Sequence, residues 1–262
     1  MLKGVWNSIF VDTFQKVELE KEQSDKFDKN VLLIFIISSL SLVFIQYFGD
    51  LSFVKSLDII WLNDSINSIQ NLFPNNRLFE LIYWVSIIFI CYFILPAIII
   101  KTVLKQNLTD YGLSLKGVFN SYKIYLIFFL FMLPLVIGVS FSDSFQNKYP
   151  FYKPHNETLY PNFVIWQCFY LLQFFALEFF FRGFMVHGLK KHFGYYSVFI
   201  MMIPYCMIHF QKPMPETIGA IIAGIVLGSL SLKSKSIWLG VAIHYSVAIT
   251  MDIAALWQKG YF

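Results

Sequence analysis

Seven stretches of mostly apolar residues run along the chain, at roughly 31–48, 79–101, 119–141, 162–189, 195–210, 217–232 and 236–257. Most approach the length that crosses a hydrocarbon core about 30 Å thick as a helix, at about 1.5 Å per residue. That repetition predicts an all-α fold: a polytopic membrane helical bundle of about seven transmembrane helices. The fifth and sixth stretches are short for full spans, so one of them is expected to be re-entrant or to pack wholly inside the bundle. Composition agrees, with 57% of residues hydrophobic and only 14% charged, where soluble domains carry roughly a quarter.

The flanking segments follow from pattern and charge. Val5, Trp6, Ile9, Phe10, Phe14 and Val17 fall on one helical stripe, which predicts a short amphipathic helix at the membrane surface; a frayed soluble helix is the alternative. The charged residues from Glu18 to Asn30 read as a solvated linker, and residues 51–61 as an interfacial helix. With the N-terminus inside, inner segments carry twelve basic residues (Lys3, Lys16, Lys21, Lys26, Lys29, Lys101, Lys105, Lys116, Lys190, Lys191, Lys233 and Lys235). Outer segments carry six: Lys55, Arg77, Lys148, Lys153, Lys212 and Lys259. The asymmetry predicts a cytoplasmic N-terminus. No secretory leader is expected, because the first apolar run begins only at Val31 and no small-residue cleavage site follows it. Lysines scattered through short loops argue against nucleic acid as a partner. Cys91, Cys168 and Cys206 lie in apolar runs without paired spacing and read as small buried hydrophobes.

Inside the spans, Pro96 and Pro134 are expected to kink their helices. Ala220, Gly224 and Gly228 share one face and predict close approach of a neighbouring helix. The misfits are ionisable. Glu178, Arg182, His209, His244 and Asp252 lie in the last four spans, with Glu216 at a helix start. Such residues face a bundle interior or a polar cavity. Counting about 1.5 Å per residue, Glu178 lies about 16 Å from the inner end of its span, His209 about 21 Å and His244 about 12 Å. Three helices therefore bring polar groups to similar depth, which predicts a polar core formed by the last four spans.

Each of these residues also has a purely structural explanation. Glu178 and Arg182 stand at i and i+4, the spacing of a helical ion pair. Asp252 reads as a helix-end residue that snorkels, and Glu216 as a favourable charge at a helix N-terminus. His187 and His192, beside Lys190 and Lys191, are expected to face headgroups.

The C-terminal half, roughly 160–256, resembles the CAAX protease and bacteriocin-processing family of intramembrane endopeptidases. "EFFFRG" supplies Glu178 and Arg182, "YCMIH" supplies Tyr205 and His209, and "GVAIHYSVA" supplies His244. The chain departs from the family pattern at two positions. Leu177 stands where the family has the first of two adjacent Glu, usually assigned as the base that activates water, and Ala248 stands where an Asn helps hold the oxyanion. The resemblance divides the chain into 1–30 (an amphipathic cytoplasmic segment), 31–159 (N-terminal membrane helices), 160–256 (the catalytic core) and 257–262 (a tail).

It implies an intramembrane endopeptidase acting on a membrane-associated peptide or protein, in the inner membrane of a bacterium and surrounded by membrane lipid. Glu178 would be the base or the residue orienting it, held by Arg182, with His209 positioning water and His244 serving the oxyanion. Tyr205 would support the site, and Glu216 is a candidate replacement for the missing Glu. An alternative chemistry makes Glu178, His209 and His244 ligands of zinc. The alternative function is a catalytically inactive relative serving as a membrane scaffold, immunity protein or partner.

Overall fold

The structure, a computed structural model, describes residues 2–21, 27–73, 75–116, 118–154 and 159–261. The middle of the linker expected at 18–30, residues 22–26 with Lys26 among them, lies outside the described residues. Every regular element among the described residues is helical. They are α1 (2–19), α2 (Lys29–Phe48), α3 (Leu51–Ser56), α4 (Ile60–Gln70), α5 (Asn76–Thr102), α6 (Tyr122–Ser140), α7 (Asp143–Lys148), α8 (Asn162–Phe193), α9 (Tyr196–Met207), α10 (Met214–Ser234) and α11 (Trp238–Gln258).

Six of them (α2, α5, α6, α8, α10 and α11) are long and apolar enough to cross a membrane. The chain is a multi-pass membrane protein. The seventh expected span corresponds to α9, which has only 12 residues. Of the two stretches expected to be short, α10 reaches full length with 21 residues. α9 is not enclosed either. It buries Val198, Met201 and Tyr205 while Tyr196, Phe199, Ile203 and Met207 stay exposed on its other face.

Burial sorts the spans. Only 17% of the apolar window of α2 and of α6 is buried, whereas 61% of that of α8 is. Leu126, Leu130, Phe131 and Leu135 of α6 are exposed, as lipid contact requires. α8 therefore forms the centre, with Trp166, Phe179, Phe180, Phe181 and Phe184 among its fully covered side chains. Its α-helical turns give way to a π-helix over Phe179–His187, a widening that recurs at functional sites. A second π-turn, Ile90–Ile94 in α5, directly precedes Pro96, so the helix loosens where the proline removes a backbone donor.

The small-residue face of α10 packs as expected. A Cβ on Gly228 would lie 2.9 Å from Val198 Cγ1 and 3.1 Å from Met201 Cε, both on α9. Any side chain there would push α9 away.

α1 carries the expected apolar stripe, part of which packs on the bundle. Ile9 and Val17 are buried, and Ile9 packs with Leu227 and Leu230 of α10. Glu18 Oε1 accepts from the Tyr195 backbone N–H at 2.9 Å, Lys233 bonds Ser8, and Lys235 pairs with Glu20 at 3.3 Å. α1 is thus docked on one end of the bundle, with Trp6, Val11, Phe14 and Leu19 exposed on its outer side. At the other end, Tyr149 donates to Glu216 Oε2 at 2.7 Å, and Gln146 Nε2 donates to Gln258 Oε1 at 2.9 Å. The expected interfacial segment 51–61 becomes α3 and the start of α4. Lys55 ties these helices together by donating to Asn67 and Gln70 at 3.0 and 2.8 Å. Of the cysteines, Cys91 is buried as expected, but Cys168 is exposed on the apolar surface.

Candidate active site

α8 and α11 cross with two carboxylates between them, and a third helix, α9, completes the site. Glu178 and Arg182 are both fully buried, with Glu178 Oε1 3.1 Å from Arg182 Nη1. No guanidinium nitrogen makes a directed hydrogen bond, so the contact is a charge pair rather than a bidentate fork. The guanidinium carbon sits 4.1 Å from the centre of the Tyr205 ring, a cation–π contact that matters more in dry surroundings.

Glu178 Oε1 also lies 2.9 Å from His244 Nδ1. A carboxylate only accepts, so Nδ1 carries the proton and Nε2 is left as an acceptor. Nε2 is 3.4 Å from the Tyr205 hydroxyl. The other carboxylate oxygen, Oε2, is buried without a hydrogen-bond partner. It occupies space that Gly240 leaves open, since a Cβ there would lie 2.6 Å from it.

His209 lies in the turn after α9. Its Nδ1 is 2.8 Å from the Tyr205 carbonyl oxygen. The carbonyl can only accept, which fixes the proton on Nδ1 and leaves Nε2 unprotonated in the neutral ring. Tyr205 therefore joins the two histidines, one through its backbone and one through its hydroxyl. The three expected catalytic residues and two of the expected supporting ones, Arg182 and Tyr205, form one connected cluster.

A cavity of about 340 Å³ lies beside the cluster, lined by His209, His244, Gln173, Phe174, Leu177 and Tyr92 among others. Lys148 and Lys212 stand on its wall, each about 6 Å from the Phe151 ring centre. Glu178 is not on this wall. Along α8 the wall is formed by Tyr170, Gln173, Phe174 and Leu177, spaced as one helical face. Glu178, about 100° further round, sits behind His244. Leu177, where the resembled family has Glu, presents an aliphatic side chain to the cavity. A smaller cavity of about 280 Å³ lies under α1, lined by Lys16, Lys190, Lys233 and Lys235 among others, away from the histidines.

The structure separates the remaining candidates from the site. Glu216 lies in the first turn of α10, where its Oε1 is 2.6 Å from Lys212 Nζ and its Oε2 accepts from Tyr149. Burial pushes the Tyr149 phenol well above its usual range, which keeps it a donor. Glu216 is absent from the cavity wall and does not fold inward toward it. Asp252 does not snorkel. It is fully buried and accepts from Phe151 N (3.2 Å), Trp166 Nε1 (3.1 Å) and Gln167 Nε2 (2.9 Å), so its charge is met inside the protein. His187 does not face headgroups either. It is buried with Nε2 3.0 Å from Ser231 Oγ, because the π-helical turn directs it toward α10. Ala248 is buried in a cluster with Leu78, Trp166 and Leu256 and offers no donor.

Zinc does not fit these residues. Among the described residues no three His, Cys, Asp or Glu side chains come together as a metal-holding group. Glu178 Oε1 is already shared between Arg182 and His244, so this carboxylate is not presented together with the two histidine Nε2 atoms as a ligand set.

Gln173 escaped the sequence reading altogether. It is buried on the cavity wall with Oε1 unpartnered, and an uncharged amide in an apolar run stands out far less than a carboxylate.

Residues 160–250 match the sequence pattern of a family described as Rce1-like, type II CAAX prenyl endopeptidase Rce1-like. The likeness read from the sequence holds over that segment, which contains every residue of the cluster. The matched family is one of proteases that act on protein or peptide substrates in membranes. No curated protein and no solved structure matches the chain.

Proposed function

We propose that this chain, whose residues 160–250 carry the match to type II CAAX prenyl endopeptidases, is an intramembrane endopeptidase that cleaves a membrane-associated peptide or protein. The observation that carries the reading is the contact of 2.9 Å between the fully buried Glu178 and the partly exposed His244, at the edge of a cavity inside an apolar bundle. A carboxylate that holds one imidazole nitrogen protonated leaves the other poised as a base.

In this mechanism Glu178 orients rather than abstracts. His244 Nε2 takes a proton from a water in the cavity, and the hydroxide adds to the scissile carbonyl carbon. The resulting imidazolium is stabilised through Nδ1–H by Glu178, whose charge Arg182 balances. As the carbonyl re-forms and the C–N bond breaks, Nε2–H returns its proton to the leaving amine nitrogen. The products are a carboxylic acid and an amine, and His244 ends neutral. His209, with an unprotonated Nε2 on the same cavity wall, holds one hydrogen of the attacking water. The Tyr205 hydroxyl, 3.4 Å from His244 Nε2, is off the cavity wall; Lys148 and Lys212 are cationic donors on that wall.

Twelve basic residues on one set of loops against six on the other support a cytoplasmic N-terminus, and the reading has the protein in a bacterial inner membrane. The test is cleavage of a single-span peptide by the purified protein in lipid nanodiscs, with His209→Ala, His244→Ala and Glu178→Gln alongside. Full activity in both histidine variants would overturn the mechanism. The inactive-scaffold alternative, which Leu177 on the cavity wall favours, requires instead that wild-type protein cleave no membrane peptide.

A further inference from the structure

We propose that Gln173 is a substrate-binding residue whose side-chain amide pairs with a backbone peptide group of the chain held in the cavity. The inference rests on the endopeptidase reading for its substrate class, but on separate observations for its residue.

Gln173 is only 6% exposed, and its Oε1 has no hydrogen-bond partner. It lies on the wall that also carries His209 and His244. Two other glutamines on that wall, Gln46 and Gln211, are exposed and can turn to their surroundings. Gln167, six residues earlier on α8, is also buried with an unpartnered Oε1, but its Nε2 is committed to Asp252 and it is not on the wall. Gln173 is therefore the buried amide on the cavity wall, with an oxygen that no protein group bonds. Buried polar groups in folded proteins are almost always paired, so an unpaired one beside a candidate active site points to a ligand that supplies the partner.

The ligand's chemistry follows from the amide itself. Its oxygen accepts and its nitrogen donates, and a peptide group presents the matching pair. Whichever way the amide is turned, the complement is the same. A membrane-embedded substrate also needs such a partner. While helical, it satisfies its own N–H and C=O groups, as a lipid environment demands. To be cut it must unwind locally, which frees backbone donors and acceptors in surroundings that otherwise lack partners. The rest of the α8 stripe (Tyr170, Phe174 and Leu177) presents aromatic and aliphatic surface for the flanking side chains. Gln173 is thus placed to bind an unwound backbone, and its contribution does not depend on the substrate's side-chain sequence.

The experiment measures binding and cleavage separately, using a fluorophore-labelled single-span peptide in nanodiscs with wild-type protein and Gln173→Met. The methionine keeps the length and removes the hydrogen bonds. The expected result is an affinity about tenfold weaker, with KM raised in proportion and kcat within about twofold, the size of one buried hydrogen bond. A second arm replaces each peptide N–H near the cleavage point in turn by an ester oxygen. One position should weaken binding to wild-type protein and have no effect on Gln173→Met. Equal affinity of the two proteins overturns the proposal, and so does a peptide that wild-type protein fails to bind. If Gln173→Met does not fold, an ester scan on wild-type protein in which no position matters overturns it as well. A peptide that binds in the expected pattern but is never cut leaves Gln173 assigned and removes the endopeptidase reading.

Discussion

Two carboxylates bridge α8 and α11, and they are built on opposite principles. Asp252 of α11 accepts three N–H donors across both oxygens, from Phe151, Trp166 and Gln167. Glu178 of α8 concentrates its contacts, to Arg182 and His244, on Oε1 and leaves Oε2 without a partner. Both are fully buried. The first is what a satisfied structural anion looks like. The second is held by a cation and by a titratable ring, an arrangement that costs stability and is found where protons are moved. Burial alone does not separate the structural acid from the candidate catalytic one; the identity and completeness of their partners do.

The largest expected effect is on Glu178. Glu178→Gln should lower turnover of a membrane peptide by about a thousandfold, the scale of general acid–base catalysis, while the protein still folds. Loss of folding with no change in specific activity would erase the contrast with Asp252. Arg182→Met comes next. It leaves a buried carboxylate without its cation and should destabilise the bundle by about 4 kcal/mol, read by thermal unfolding in detergent. Asp252→Ala leaves three buried donors unpaired and should cost about 3 kcal/mol, with the specific activity of the folded fraction within about threefold of wild type. Gly240→Ala pushes a methyl group against Glu178 Oε2 and should reduce turnover by about a hundredfold through misplacement alone, with little loss of stability. Glu216→Gln is the smallest. Its ion pair with Lys212 is partly exposed, so stability should change by less than about 1 kcal/mol and turnover by less than about twofold. A large loss of activity there would return Glu216 to the site.

The sequence made the site legible only where charge betrayed it. Glu178, Arg182, His209 and His244 stood out because lipid-facing runs exclude such residues, and counting along each span brought them to a common depth. The same counting could not tell which way Glu178 points. Leu177 and Glu178 differ by one residue, and only the packing of α8 against α9 and α11 shows that Leu177 meets the cavity while Glu178 lies behind His244. Asp252 was misread because its partners, an indole, an amide and a loop N–H, come from segments about a hundred residues away. His187 was misread because nothing in a run of phenylalanines announces a π-helix. The helical bundle itself was readable from the apolar runs, and so was the shortness of α9; where the α1 stripe docks reflects tertiary contacts that no local pattern encodes.

That shortness matters for the membrane as well as the protein. With 12 residues, α9 rises about 18 Å where the hydrocarbon spans about 30 Å. The turn that follows it carries His209, flanked by the exposed apolar side chains Met207, Phe210 and Met214. A bilayer accommodates a helix this short by thinning locally, among other ways. Local thinning there would bring water closer to the turn that carries His209, so the proposed hydrolysis is expected to vary with acyl-chain length, read as peptide turnover in bilayers of different thickness.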